Sequence, residues 1–200
     1  MPHAWQAWQA GPSTVCTADD RVRTGVEISF VDIFQMVVCT TGGAVQANVV
    51  NLIPQQRAGA LAMTMASGLA TANGGRFVPV DGRSYACSAA PLVHVIGDAA
   101  ATIQPRAGDI ANQEAKLCAD ALARIFAGGQ PDPALVTDSA CHSTITRTQA
   151  PWLTVVFQYD PVSKTMKPAA ASSAASVGWK SDNFEQMNTW FNALMADSFA

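Results

Sequence analysis

The sequence predicts an α/β fold, an incomplete α/β layer followed by an α+β region, and three observations predict it. Leu92 to Ile96 is a short, β-rich apolar run bounded by Pro91 and Gly97, which reads as a buried strand. A loop from Asp98 to Gly108 then leads to a helix that Asp109 can cap, running to about Phe126. Cys118, Ala121, Leu122 and Ile125 form its apolar stripe, and Gly128-Gly129 and Pro131 end it. Strand, loop and helix in that order are half of an α/β unit. Beyond Pro131 the character changes to one strongly β-prone run, Trp152 to Tyr159, and a terminal helix. In that helix Asp182 caps, Glu185 completes a capping box, and Phe184, Met187, Trp190, Phe191, Leu194 and Met195 make a broad apolar face.

The remaining elements follow from punctuation and period. The first twenty residues mix Trp, Gln, Pro, Ser and Thr without periodicity and read as loop. Val26 to Phe34 and Gln35 to Cys39 are β-branched and apolar and suggest a strand or two, and Thr41-Gly42-Gly43 is a turn signal. Ala47 to Ile53 reads as a short strand that Pro54 stops. From Arg57 to Leu69 the period switches: Leu61, Met65 and Leu69 recur every four residues, the mark of a helix, weakened by Gly59 and Gly68. Phe77 to Asp81 suggests a short strand, Asp160-Pro161 starts a turn, and the Ala/Ser stretch from Ala169 to Ser176 reads as an exposed connector.

Composition narrows the function. The chain has 200 residues, 49% of them hydrophobic, enough for one sizeable core or one domain with a small appendage. A net charge of -3 with only 14% charged residues leaves no electrostatic footprint for nucleic acid. Apolar runs such as Pro91 to Ile96 fall far short of the roughly 20 residues a bilayer requires. Met1 to Trp8 has neither a basic segment nor a long apolar one, so it does not read as a signal peptide. None of the five cysteines sits in a CxxC pair and the three histidines do not cluster with them, which argues against a structural zinc site.

The clearest local site is Val93 to Ala99. Gly97 lets backbone approach a ligand closely, and Asp98 stands at the carboxyl end of the expected strand, where open α/β sheets bind ligands. A carboxylate there can accept hydrogen bonds from sugar or ribityl hydroxyls. An ordinary strand-to-loop turn, with Asp98 capping local backbone, explains the same residues. The helix after Asp109, with Asn112 and Gln113 in its first turn, offers free N–H groups to an anion or an electron-rich ring, as any helix start does. Cys141 and His142 are adjacent, and neighbours on an extended segment point to opposite sides, which argues against a Cys–His nucleophile pair. Cys141 remains a candidate redox cysteine, His94 reads as packed or surface-facing, and Cys118 reads as core.

Asn51 to Gly59, then Val80-Asp81, then Val93 to Asp98 resemble the flavoprotein subunit of flavocytochrome c sulfide dehydrogenase, a family grouped with the sulfide:quinone and pyridine nucleotide–disulfide oxidoreductases. The spacing from Asp98 to Pro105, Gly108, Asn112, Gln113 and Lys116 is similar too, with Pro105-Arg106-Ala107-Gly108 where the family reads Pro-Lys-Ser-Gly. Thr137 to Ser143 resembles the segment that carries the family's second redox cysteine, which falls on Cys141. The closing stretch from Trp190 to Phe199 resembles the family's last helix. The resemblance implies an incomplete FAD/NAD(P)-binding Rossmann-like fold with a C-terminal α+β domain. Its divisions would be a remnant segment at 1–36, the second part of an FAD-binding domain at 37–130, and the α+β domain at 131–200. It implies FAD as cofactor, held by Gly97, Asp98, Pro105, Gly108 and Asn112, with Cys141 as a catalytic thiol. It further implies sulfide as substrate, a cytochrome c subunit as partner, and a periplasmic location; sulfide:quinone or pyridine nucleotide-dependent flavoenzymes, or a non-catalytic remnant, are the alternatives. The departures are equally plain: no GxGxxG is present, and Cys16 lies outside the context of the family's first redox cysteine. The implied enzyme is therefore incomplete, and inactive alone.

Overall fold

The computed structural model describes residues 27–50, 56–65 and 75–199. The chain divides after Gln55 into two units, each considered by itself. In the first, β1 (Ile28–Asp32), β2 (Val37–Thr40) and β3 (Gly43–Gln46) form an antiparallel meander in sequence order. The Asp32 carboxylate accepts the backbone N–H groups of Phe34 and Gln35, each at 2.9 Å, and so builds the first turn. Thr40 builds the second: its hydroxyl donates to the Gly43 carbonyl at 2.8 Å and accepts from Gly42 at 3.1 Å, with Gly43 at φ 110°. Positions 47–50, expected to start a strand, lie outside the sheet, and 51–53 fall outside the described residues. No residue from 27 to 50 is fully buried.

The second unit holds α1 (Ala60–Met65), α2 (Gly108–Phe126), β4 (Val136–His142), β5 (Trp152–Asp160), β6 (Thr165–Pro168), β7 (Ala174–Ala175) and α3 (Ser181–Phe199). β5, the β-prone run of the sequence, is the centre of its sheet. β4 pairs antiparallel along one edge, with Ser139 opposite Val155, and β6 and β7 share the other edge. Alternate residues turn inward: Val155 and Phe157 from β5 pack with Leu135 and Met166, and Leu117 of α2 covers them. Burying a side chain such as Phe157 contributes about 1.5–3 kcal/mol. A neighbouring cluster of Tyr85, Ala100 and Cys118 also touches Leu117, so α2 joins the sheet to the 75–101 segment.

That segment corrects the expected fold. Both sheets among the described residues are antiparallel, and the parallel Rossmann-like layer around Val93 to Phe126 is not formed. Leu92 to Ile96 belongs to no strand; it makes one isolated antiparallel bridge, Ala86 to His94, and the one parallel contact nearby is the single bridge Val78 to Ala100. A parallel strand needs strands along its edges and helices over its faces. Here only Val95 is buried, in a cluster with Phe77 and Val78 that Val93 packs against, while Leu92 is 96% exposed and Ile96 39%, so the run is covered on one side and has no strand partners along its length.

Candidate functional site

Asp109 does not cap α2. The helix starts one residue earlier at Gly108, its cap Ala107 offers no side-chain bond, and the Asp109 carboxylate, buried in the first turn, accepts the Ala140 N–H of β4 at 3.2 Å. One turn on, the Gln113 amide grips the same strand twice, donating to the Asp138 carbonyl at 2.7 Å and accepting the Asp138 N–H at 3.0 Å. A side-chain amide carries the same donor and acceptor as a peptide, so Gln113 acts as a one-residue partner for the free edge of β4.

The inner side of α3 completes this seam. Asn183, Met187, Trp190 and Leu194 recur at helical spacing. Trp190 lies against His142 with ring centroids 5.1 Å apart, and Thr144 contacts the Met187 sulfur at 3.7 Å. Burial pushes the His142 imidazole below its usual pKa, partly offset by the Asp109 carboxylate. At the far end Asn112 donates to the Ser198 hydroxyl at 3.1 Å, and Lys116 pairs with Asp197, holding that carboxyl below its usual range. Between these anchors lies a small cavity of about 290 Å³, bordered by Asp109, Asn112, Asp138, Trp190 and Leu194.

The residues singled out from the sequence scatter around this seam. Asn112 borders the cavity; Gly97, Asp98, Pro105, Gly108 and Cys141 do not. Cys141 is half-buried on β4 opposite Leu153, its sulfur 3.9 Å from the Ser139 hydroxyl. Asp98, Pro105 and Gly108 are exposed. Gly97 is required by its φ of +65°, and its N–H donates to the Glu114 carboxylate at 2.5 Å. A Cβ there would meet the Ala111 methyl at 3.5 Å, an ordinary van der Waals contact, so the backbone conformation and not the space is what calls for glycine.

These contacts overturn the expectation of an FAD-dependent, sulfide-oxidising oxidoreductase. The parallel sheet that presents FAD is absent among the described residues, and the Gly97 N–H is spent on Glu114. Chemistry at a flavin-adjacent disulfide needs two cysteines within bonding reach. Among the described residues no disulfide forms, and Cys39, Cys118 and Cys141 carry free thiols. Cys16 lies outside the described residues. No group of three or more His, Cys, Asp or Glu among them could hold a metal, and no described helix is long and apolar enough to cross a membrane.

One feature escaped the sequence reading, and another was read only as part of a broader apolar face. Glu114 is 1% exposed, and burial pushes its carboxyl up to about 7, opposed by the Gly97 N–H and Arg106 and reinforced by Asp98. Its signal was available: it interrupts the stripe Ile110, Glu114, Cys118, Ala121 at helical spacing. The second is a further apolar stripe on α3. Phe191, Met195 and Phe199 lie roughly a quarter turn from the inner side and are 50%, 39% and 79% exposed. The whole helix carries Asp182, Glu185 and Asp197 and no Lys or Arg. No family model matches the chain.

Proposed function

We propose that the chain is a non-catalytic protein-binding module that docks a basic partner on α3. The exposed stripe Phe191, Met195 and Phe199, on a helix with three acids and no base, carries this reading. Lys116 already pairs Asp197, so the charges this helix still offers, Asp182 and Glu185, are both acidic, and an apolar stripe on such a helix suits a partner that presents an apolar patch beside basic groups. A second copy of the chain is a poor occupant, because helix-to-helix pairing would set acids against acids. Three side chains make a small contact, at the scale of transient complexes rather than permanent ones. The resemblance to the flavoprotein family supplies a partner class: descent from it makes a cytochrome c subunit the partner and the periplasm the place of encounter.

Titration with a purified c-type cytochrome of basic isoelectric point, followed by haem quenching of tryptophan fluorescence, tests the proposal. The expected result is binding with a Kd on the order of micromolar, weakened by salt as steered encounters are. The doubly substituted chain Phe191→Ser, Phe199→Ser should lose it. Equal binding of an acidic cytochrome, no binding of the basic one, or indifference to the double substitution would each overturn the reading. A concentration-dependent dimer in sedimentation would reassign the stripe to a second copy.

A further inference from the structure

A second site lies away from α3, where the turn between β5 and β6 meets the 79–91 segment. There a cleft of about 660 Å³ opens, within the range of small-molecule sites. Its walls are tied by backbone. The Gly82 N–H donates to the Lys164 carbonyl at 3.1 Å, and a Cβ at Gly82 would stand 3.4 Å from both the Thr165 Cα and the Met166 nitrogen. On the other side the Ser88 N–H donates to the Pro79 carbonyl at 3.0 Å. Lys164 itself sits in the left-handed region at φ +54°, a conformation that costs a non-glycine residue about 1 kcal/mol or more and that the Gly82 bond supports.

The charges decide what the cleft would accept. Asp81 lines it, but Arg83 occupies both carboxylate oxygens: Oδ1 takes the Arg83 N–H at 2.9 Å and Nε at 3.3 Å, and Oδ2 takes a terminal nitrogen at 3.1 Å. Asp160, at the start of the turn, is engaged by Lys167 and by the Ser163 hydroxyl. Lys164 has no ion-pair partner among the described residues. Arg83 and Lys167 each pair one acid, and Lys164, near enough to help hold the Asp81 carboxyl below its usual range, adds a further positive charge to the cleft. Val80, Ala86 and Pro91 supply apolar wall, and Ser88 and Thr165 supply hydroxyls.

We infer that this cleft is a binding site for a small organic anion, a carboxylate on a flat apolar body, with Lys164 as its counter-ion. One point-charge ammonium with flanking hydroxyls matches a monoanion; a phosphate dianion is better served by guanidinium forks or a nest of N–H groups. The test uses the full chain labelled with ¹⁵N and two flat probes of equal size, 2-naphthoate and its neutral amide. Naphthoate should shift the amide signals of Ser88, Ala101 and Thr165 with saturation below millimolar, and the amide should bind at least about tenfold more weakly. Lys164→Met should lose about tenfold for naphthoate and leave the amide unchanged. Lys164→Gly removes the same charge while accepting the left-handed turn, and should behave alike. Equal binding of the two probes, shifts confined to other regions, no saturable shift at millimolar naphthoate, or unchanged affinity in a folded Lys164 variant would each overturn the assignment.

Discussion

α2 and α3 are both 19 residues long and both amphipathic, yet they invert each other's use of polarity. α2 buries Asp109 and Glu114 beside Ile110, Cys118 and Ala121, whereas α3 buries only Asn183 and leaves Phe191 and Phe199 half or more exposed. The difference lies in what faces each helix. α2 runs over the β4–β5 sheet and the 75–101 segment, and backbone groups of both reach it: the Gly97 N–H finds Glu114, and the Ala140 N–H finds Asp109. Those bonds let carboxyl groups enter a core that would otherwise reject them. α3 meets β4 and α2 along one narrow line, and among the described residues its second stripe stays exposed. Burial therefore reports the neighbours a helix has, not how greasy it is.

The contrast can be broken by substitution. The largest effect is expected for Ile110→Ala on α2: at 2% exposure it should lose about 2–5 kcal/mol, read as a lower urea midpoint with unchanged slope. A loss below about 0.5 kcal/mol would mean that α2 is not the organising helix described here.

Next comes Glu114→Gln, which should stabilise. Its carboxyl lies at about 7 in the fold against 4.5 for an ordinary Glu, so between those values the folded chain holds a proton that the unfolded chain has released. Stability contributed by the neutral form is complete below about pH 4 and falls as pH rises through 7, by up to about 3 kcal/mol. The amide keeps an acceptor for the Gly97 N–H and removes this slope. The variant should gain about 3 kcal/mol at pH 8 and almost nothing at pH 4. Thermal unfolding across that range checks it, and a variant less stable than the parent at pH 8 would place a needed charge at position 114.

Gln113→Ala removes both bonds to Asp138 and exposes the β4 edge, with an expected loss of about 1–2 kcal/mol. Amide hydrogen exchange should quicken at Asp138 and Ala140 before it does so in β5; uniform acceleration would mean the edge is not locally held. The smallest effect is expected on α3, where Phe191→Ser should stay within about 0.5 kcal/mol in stability while abolishing partner binding. A loss as large as that of Ile110→Ala would show that the stripe is core after all, and would remove the docking surface with it.

Much of the local structure was legible from residues alone. Trp152 to Tyr159 is β-branched and aromatic and forms β5; the Asp182 to Met195 pattern forms α3; Thr41-Gly42-Gly43 marks the turn between β2 and β3. These succeed because a strand of nine residues and a helix of five turns carry their period within themselves. Leu92 to Ile96 misled because an apolar run of five has no period to read, and strand character there depended on partners that the chain does not bring alongside. Asp109 misled differently. A carboxylate at a helix start serves as a cap unless a nearer donor competes, and the Ala140 N–H, 31 residues on, does. The same limit governed the sites: Gly97 and Asp98 have the composition of a ligand turn, but whether the Gly97 N–H is available depends on Glu114, one helix away.

By itself the sequence determined the longer periodic elements, the low charge, the absence of a cysteine motif, and an α3 that carries acids and no bases. These are properties of single residues and of spacings within one element. Only the tertiary structure decided that both sheets are antiparallel, that Glu114 is buried as an acceptor, that the second apolar stripe of α3 faces outward, and that Lys164 stands over a cleft with its neighbouring acids already paired. Each of these is a fact about pairs of groups far apart in the chain. Such pairs are set by which surfaces meet, and a buried polar group or an exposed apolar one is defined only by what it meets.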